Sequence, residues 1–386
     1  MISSYSPTKR MVLLAVPLLL LGLLILMSQR RPQPLMGVSG PARISSRPVF
    51  IAFAPNGDLV CGSSDGNLQK YLTSEKRFRS FELSEPGSAR LGGPIVPVVV
   101  GTVGHVAFSP DSSEVFVGRP QPASSVQVFD AETRNAIYSF IGPTYSAFDL
   151  SRDGKWAICG TSSGLVLVDL KSPLPTAKGE SPIPSRFGKN RHHYKLRSCR
   201  LPVQATSASF SPDSKTVAIG FSSQLALFDV DGDFKAPRVQ CDLSGAAVTM
   251  PQLQPNAKSA PPTPEPFWLE WSPDGSKLAV FATTEIGIYD TKLKKLTTTS
   301  SRPNIPGGLP VTGQLNTAGA NLAWNADGTA LYSGGDDVRR WSSDLRLEAT
   351  YGVSGPVAIS PDGKILMTAS KESPGQYPYL LQWKIG

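Results

Sequence analysis

Between residues 50 and 370 the apolar positions fall into one arrangement that recurs seven times. Each copy opens with two apolar residues one position apart: Ile51/Phe53, Val106/Phe108, Phe148/Leu150, Ala208/Phe210, Leu269/Trp271, Leu322/Trp324 and Val357/Ile359. That period of two predicts a strand with its large side chains on one face. The residue between is usually small, as at Ala52, Ala107, Ser209, Ala323 and Ala358. A turn follows, reading FAPNG from Phe53, FSPDS from Phe108, LSRDG from Leu150, FSPDS from Phe210, WSPDG from Trp271, WNADG from Trp324 and ISPDG from Ile359. A near-continuous apolar run comes next (LVCG, VFVG, AICG, VAIG, LAVF, LYSG, LMTA), the pattern of a strand covered on both faces. A third strand ends in a large apolar residue: Tyr71, Phe129, Val168, Phe228, Tyr289, Trp341 or Trp383. In four copies Asp130, Asp169, Asp229 or Asp290 comes next, where its carboxylate accepts from nearby backbone N–H groups and shapes the following turn. More polar stretches, such as RFRSFEL from Arg77 and RNAIYSF from Arg134, predict fourth, outer strands.

A supersecondary unit repeated every 50 residues or so is the mark of a solenoid, propeller or array. The SPDG-like turns, the FD, VD and YD pairs standing where Trp-Asp would be, and Gly104-His105 in the second copy make the chain resemble the WD-repeat β-propeller family over nearly everything after residue 40. The resemblance implies an all-β fold: a seven-bladed β-propeller of four-stranded antiparallel blades. It also implies departures. Only one copy has Gly-His, and its turn from Arg119 to Ser125 lacks the Asp that would partner the histidine, so the family's buried His–Asp–Ser–Trp network is expected to be absent. The last copy finishes on its third strand, around Leu380 to Ile385. Residues Val38 to Ser46, just ahead of the first inner strand, are free to supply the fourth, so both chain ends would meet in one blade and close the ring.

Ahead of the repeats, Met11 to Met27 (MVLLAVPLLLLGLLILM) holds no polar side chain. With Met11, Leu13, Leu19, Leu24 and Met27 along it, the segment nearly spans a hydrocarbon core of roughly 30 Å as a helix. SQRRPQP follows, with arginines where a signal peptidase would need small residues and no nearby Cys for a lipid anchor. The expectation is one retained transmembrane helix in residues 1–31 and a propeller in 32–386, a cleaved signal being the alternative. Lys9 and Arg10 oppose Arg30, Arg31, Arg43 and Arg47 across it. Charge counting favours a cytoplasmic propeller, whereas a short basic tail before a single anchor favours one outside the cytoplasm, the side adopted here.

Charge and cysteine usage narrow the classes. The net charge is +8, but Lys9, Arg10, Arg30 and Arg31 flank the apolar segment and residues 1–31 hold no acid, so residues 32–386 carry +4. That is too weak and scattered for nucleic acid, which is not expected as a partner. Charged residues are 18% of the chain and Gly and Pro reach 35 each, which suits short buried strands joined by turns. Cys61 and Cys159 share a column with Val117, Ile219 and Val280 and read as small buried apolar residues. Cys199 and Cys241, in connecting segments, leave a disulfide open. No C-x-x-C exists, and neither metal nor cofactor is expected.

Neither G-x-x-x-x-G-K nor H-E-x-x-H occurs, and G-x-S-x-G is met as GSSDG from Gly62 and GTSSG from Gly160, between strand-like runs of the repeat and not as a strand-to-helix nucleophile elbow. Candidate chemistry lies in departures from the repeat. Asp149 and Glu270 break the small-residue column, where carboxylates would face the channel, either for acid–base work or simply as hydrogen-bond acceptors. Extra length falls at 84–103, 171–203, 243–266 and 297–319, and long loops on a rigid scaffold commonly carry binding. Ser185 to Arg200 is strongly basic: Arg186, Lys189, Arg191, His192, His193 and Lys195 form a candidate partner-binding loop, a solvated loop and outer strand being the plainer reading. Met250 to Pro266 is Pro-rich and reads as a stiff spacer. These features favour a membrane-anchored, non-catalytic protein-interaction scaffold whose loops, held near the membrane, meet other proteins. The alternative is an extracytoplasmic propeller enzyme or sugar-binding protein, lactonase- or lyase-like, using channel-side polar residues.

Overall fold

The computed structural model describes residues 36–38, 48–63, 67–72, 77–81, 105–119, 125–140, 147–161, 164–174, 190–191, 193–243, 266–283, 285–300, 320–370 and 379–385. The apolar segment Met11 to Met27, with Leu13, Leu19 and Leu24, lies outside these residues, and no helix among them is long and apolar enough to cross a membrane.

The described strands form seven sheets, one for each repeat. After β1 (Met36–Val38), blade 1 is β2 (Pro48–Phe53), β3 (Leu59–Ser63), β4 (Leu68–Leu72) and β5 (Arg77–Ser80). Blade 2 is β6 (His105–Phe108), β7 (Glu114–Arg119), β8 (Ser125–Asp130) and β9 (Ala136–Phe140). Blade 3 is β10 (Phe148–Leu150), β11 (Trp156–Thr161) and β12 (Gly164–Leu174), then the short β13 (Asn190–Arg191) and the outer β14 (His193–Arg200). Blade 4 is β15 (Ala205–Phe210), β16 (Thr216–Phe221), β17 (Gln224–Asp229) and β18 (Val239–Asp242). Blade 5 is β19 (Pro266–Trp271), β20 (Lys277–Ala282), β21 (Glu285–Asp290) and β22 (Lys295–Ser300). Blade 6 is β23 (Leu322–Trp324), β24 (Ala330–Ser333), β25 (Arg339–Ser342) and β26 (Leu347–Thr350). Blade 7 is β27 (Val357–Ile359), β28 (Ile365–Ser370) and β29 (Tyr379–Lys384), completed by β1.

Pairing within each blade is antiparallel, and the inner strands neighbour one another in a closed circle from β2 through β27 back to β2. The closing strand is β1, pairing Met36 with Gln382 and Val38 with Leu380, so it begins two residues upstream of the stretch expected from sequence. Closure removes the free edges that an open ring would present. One strand breaks the pattern. β13 leaves blade 3 and pairs in parallel with β9, so blade 2 acquires a fifth strand from its neighbour.

The apolar columns become the blade-to-blade core. The second strands are buried along nearly their whole length, as β3 and β16 show. Ile158, Leu165, Val217, Ile219 and Phe228 form one cluster between blades 3 and 4, and Ile51, Leu59, Cys61, Met367 and Leu380 form another across the closure. Cys61, Cys159 and Cys199 are buried and free, and Cys241 is free too. Cys199 and Cys241 sit on the outer strands β14 and β18 rather than in connections, and Cys199 Sγ donates instead to the Lys235 carbonyl at 3.2 Å.

The repeated turn explains itself chemically. In blades 2, 3, 4, 5 and 7 the serine hydroxyl donates to the aspartate two residues on, at 2.6 Å. The same oxygen accepts from the backbone N–H that opens the second strand. The turn's last residue takes a left-handed conformation, supplied by Gly in most blades and by Ser112 and Ser214 in blades 2 and 4 (φ 61° each). The substitution has a consequence. Ser112 Oγ accepts from the Asn56 N–H of blade 1 and Ser214 Oγ from the Asp153 N–H of blade 3, so each serine stitches its turn to the preceding one. Gly154 occupies that place beside Pro110, where a Cβ would approach Pro110 Cδ to 2.7 Å.

The strand-end aspartates behave as expected at Asp130, Asp169 and Asp290, which accept from backbone N–H groups just downstream. Asp229 instead pairs with Arg238 at 2.9 Å. The expectation that the His–Asp–Ser–Trp network is missing needs amending. Trp341 donates to Ser333 Oγ and Trp383 to Thr368 Oγ1, both at 2.9 Å, so blades 6 and 7 keep the indole–hydroxyl half.

Candidate functional site in the central channel

Side chains of the inner strands alternate between the blade core and the channel. At the channel level Ala52, Ala107, Ser209, Ala323 and Ala358 hold five blades open, while Asp149 on β10 and Glu270 on β19 project carboxyl groups. Protein surrounds both, and their surfaces reach the channel only in part. The two acids have different partners.

Asp149 is a structural acceptor. Its Oδ2 takes the Phe210 N–H of blade 4 at 2.7 Å and its Oδ1 the Leu150 N–H at 2.8 Å. Burial raises its pKa to about 6, against those two N–H groups and the nearby Arg152. Glu270 has no such staple among the described residues. Burial and then the Asp149 charge push it up to about 8, eased by Arg152 and by the Trp268 indole. The Trp268 N–H still reaches no acceptor at hydrogen-bonding geometry. Both shifts run upward and the larger is at Glu270, which favours its neutral form beside Asp149.

One level towards the start of the inner strands, an aromatic group spans the ring. Trp268 of blade 5 stacks on His105 of blade 2, with ring centroids 4.9 Å apart and planes 14° apart. Phe50 of blade 1 lies 6.2 Å from Trp268 and 6.4 Å from His105. Phe50 and Trp268 each follow a register shift, between Pro48 and Phe50 and between Pro266 and Trp268, and such bulges re-aim side chains. Burial drives His105 down to about 4, so it is neutral beside the indole at pH 7. Arg152 stands at the opposite mouth. It replaces the proline of the turn in blade 3, and its charge reaches both acids. The channel thus runs from an aromatic plug, past two buried acids, to an arginine. This arrangement can bind a small polar group or exchange a proton with one.

The basic candidates are dispersed by comparison. Arg186, Lys189 and His192 lie outside the described residues. Arg191 falls on β13 and His193 and Lys195 on β14, so this stretch is strand rather than loop, with Lys195 exposed. Within 171–203, residues 171–174, 190–191 and 193–200 belong to β12, β13 and β14. Among the described residues no three His, Cys, Asp or Glu side chains gather as a metal site. Sequence reading missed Trp268, His105 and Arg152. The residue standing where other turns carry proline was the one available signal for Arg152. Nothing in the repeat announces a contact across the ring.

No family profile and no curated protein matches the chain. Solved structures do: 1441 chains are similar, a number that marks a fold too widely used to select a function. One is a chain of the crystal structure of the mitotic checkpoint complex, superposing with a TM-score of 0.61 at 15% identity over 92% of this chain and 96% of that one. The likeness is one of fold. It supports a WD-repeat-like seven-bladed propeller.

Proposed function

We propose that this protein is a non-catalytic protein-interaction platform, tethered to a membrane by Met11 to Met27 and facing out of the cytoplasm. One observation carries the platform reading. The long segments 82–104, 244–265 and 301–319 each join an outer strand to the next blade's inner strand, so their ends gather on the one face opposite the repeated turns. A rigid ring that anchors its longest variable segments on a single face is built for recognition. The structural neighbour from a multi-protein complex supports the same reading. The tether rests on the uninterrupted apolar run and the absence of a cleavage signal after it. Replacing 84–103, 246–264 and 302–318 by short turns should leave the melting temperature nearly unchanged and abolish partner recovery. Survival of every partner through all three replacements overturns the face assignment. Digestion of a C-terminal tag once the outer layer of intact cells is opened supports the extracytoplasmic side, and protection until lysis overturns it.

A second reading has one observation behind it, the placing of two acids, Asp149 and Glu270, on the inner strands beneath the plug. An enzyme or sugar-binding channel would show thermal stabilisation by a sugar or metal that Glu270→Ala removes. A flat screen favours the platform.

A further inference from the structure

The long-loop face and the turn face cannot both meet the membrane, and strand register distinguishes them. Ile365 follows directly on the turn of blade 7 and pairs with Lys384, while Ser370 at the far end pairs with Tyr379. β1 pairs Met36 with Gln382 and Val38 with Leu380, so the chain upstream of Met36 leaves towards the turn face. The nine steps from Met27 to Met36 reach at most about 30 Å. That length keeps blade 7 near the bilayer without fixing the tilt of the ring.

A second attachment lies across the ring. Residues 148–200, the stretch of chain that includes the strands of blade 3, hold ten Lys and Arg against four Asp and Glu. Since residues 32–386 carry +4, this stretch is +6 and the remainder of 32–386 is net −2. At its turn-face end Lys171 and Lys195 are exposed, the Lys155 ammonium lies 4.8 Å from the Trp156 ring centroid and the Arg197 guanidinium 4.5 Å from it. The acids nearby are occupied or few. Asp169 is buried and accepts from the Lys171 N–H, Asp153 accepts from Ser151 and Lys155, and Asp231 faces the cluster from blade 4.

We propose that the ring lies flat on the membrane by its turn face, held at blade 7 by the N-terminal segment and at blade 3 by this cationic cluster on anionic lipid headgroups. The long-loop face then points away from the bilayer, towards partners. This reverses the expectation that the loops are held against the membrane, and it rests on the tether proposed above. The occupant is the bilayer because the tether leaves on the same face, so a headgroup surface lies within reach of the cluster. Two contacts on opposite sides of one face restrict the ring's tilt to rocking about the line between them, which a single tether does not.

The test uses the full chain in phosphatidylcholine vesicles with and without phosphatidylglycerol, in a Cys241→Ser background. A fluorophore is placed by Thr291→Cys on the turn face or by Val203→Cys on the opposite face, and quenched by lipids carrying a headgroup nitroxide. The expected result is several-fold stronger quenching at 291 than at 203 in anionic vesicles only. Lys171→Gln with Lys195→Gln should weaken that docking about twenty-fivefold, at about fivefold for each basic residue. Stronger quenching at 203 overturns the orientation. Equal quenching at both sites, indifferent to lipid charge and to the lysine pair, overturns the docking. Flotation of the same samples separates the underlying reading: protein that does not float with vesicles overturns the tether itself.

Discussion

The turn face and the channel are built by the same seven inner strands, and they follow opposite rules. On the turn face one solution is copied almost without change, with the serine–aspartate bond at 2.6 Å in five blades. In the channel the blades stop resembling one another: an indole and a carboxyl from blade 5 meet an imidazole from blade 2, a phenyl from blade 1 and a carboxylate from blade 3. The repeat specifies the scaffold, and the chemistry sits where the repeat is broken. Blade 3 departs on both counts, with Asp149 in its inner strand and Arg152 in its turn.

The scaffold side of that contrast breaks hardest at the seam. Deleting Tyr379 to Gly386 removes β29, the strand that joins β1 to β28, and should leave insoluble protein or cost well over 10 °C in melting temperature. A soluble truncation with unchanged melting would show that closure does not hold the ring. Within the turns, Gly154→Ala should cost about 2–3 kcal/mol by denaturant unfolding, because it combines a left-handed φ of 65° with a Cβ driven into Pro110. Gly57→Ala, at φ 91° with open space around it, should cost about 1 kcal/mol. Equal costs would mean that turn-to-turn packing contributes nothing.

On the channel side, Asp149→Ala leaves the Phe210 and Leu150 N–H groups without their acceptor and should cost about 2 kcal/mol. It also removes the charge that, after burial, helps to raise Glu270, so Glu270 should then titrate lower than in wild type. The subtlest probe is Glu270→Gln. Glu270 is raised from 4.5 to about 8, so between these values the folded state holds a proton that the unfolded state has released, and stability falls as pH rises. The glutamine variant loses that slope and should exceed wild type by up to about 5 kcal/mol at pH 9, with little difference at pH 4. Parallel stability curves for the two proteins would place Glu270 in water.

Much of the architecture was legible because each blade is specified locally. A period of two, a turn with one demanding φ and a continuous apolar strand are written in adjacent residues, and the missing fourth strand of blade 7 pointed to closure from the N-terminal side. What escaped was non-local. The parallel visit of β13 to blade 2 carries no pattern distinguishing Asn190–Arg191 from loop, since two residues have no periodicity. The same holds for Trp268 and His105, which are 163 positions apart in sequence and in non-adjacent blades. Asp149 and Glu270 stood out as acids in a column of small residues. Their unequal roles did not, because the staple to Phe210 comes from the neighbouring blade.

The closing clasp also sets how the ring answers to force. Tension along the N-terminal segment falls first on three residue pairs between β1 and β29, whereas β29 is held to β28 by six. The clasp therefore peels while blade 7 otherwise stands, and β29 is left with a bare edge able to accept an extended chain. A load on that segment would turn a sealed ring into an adhesive one.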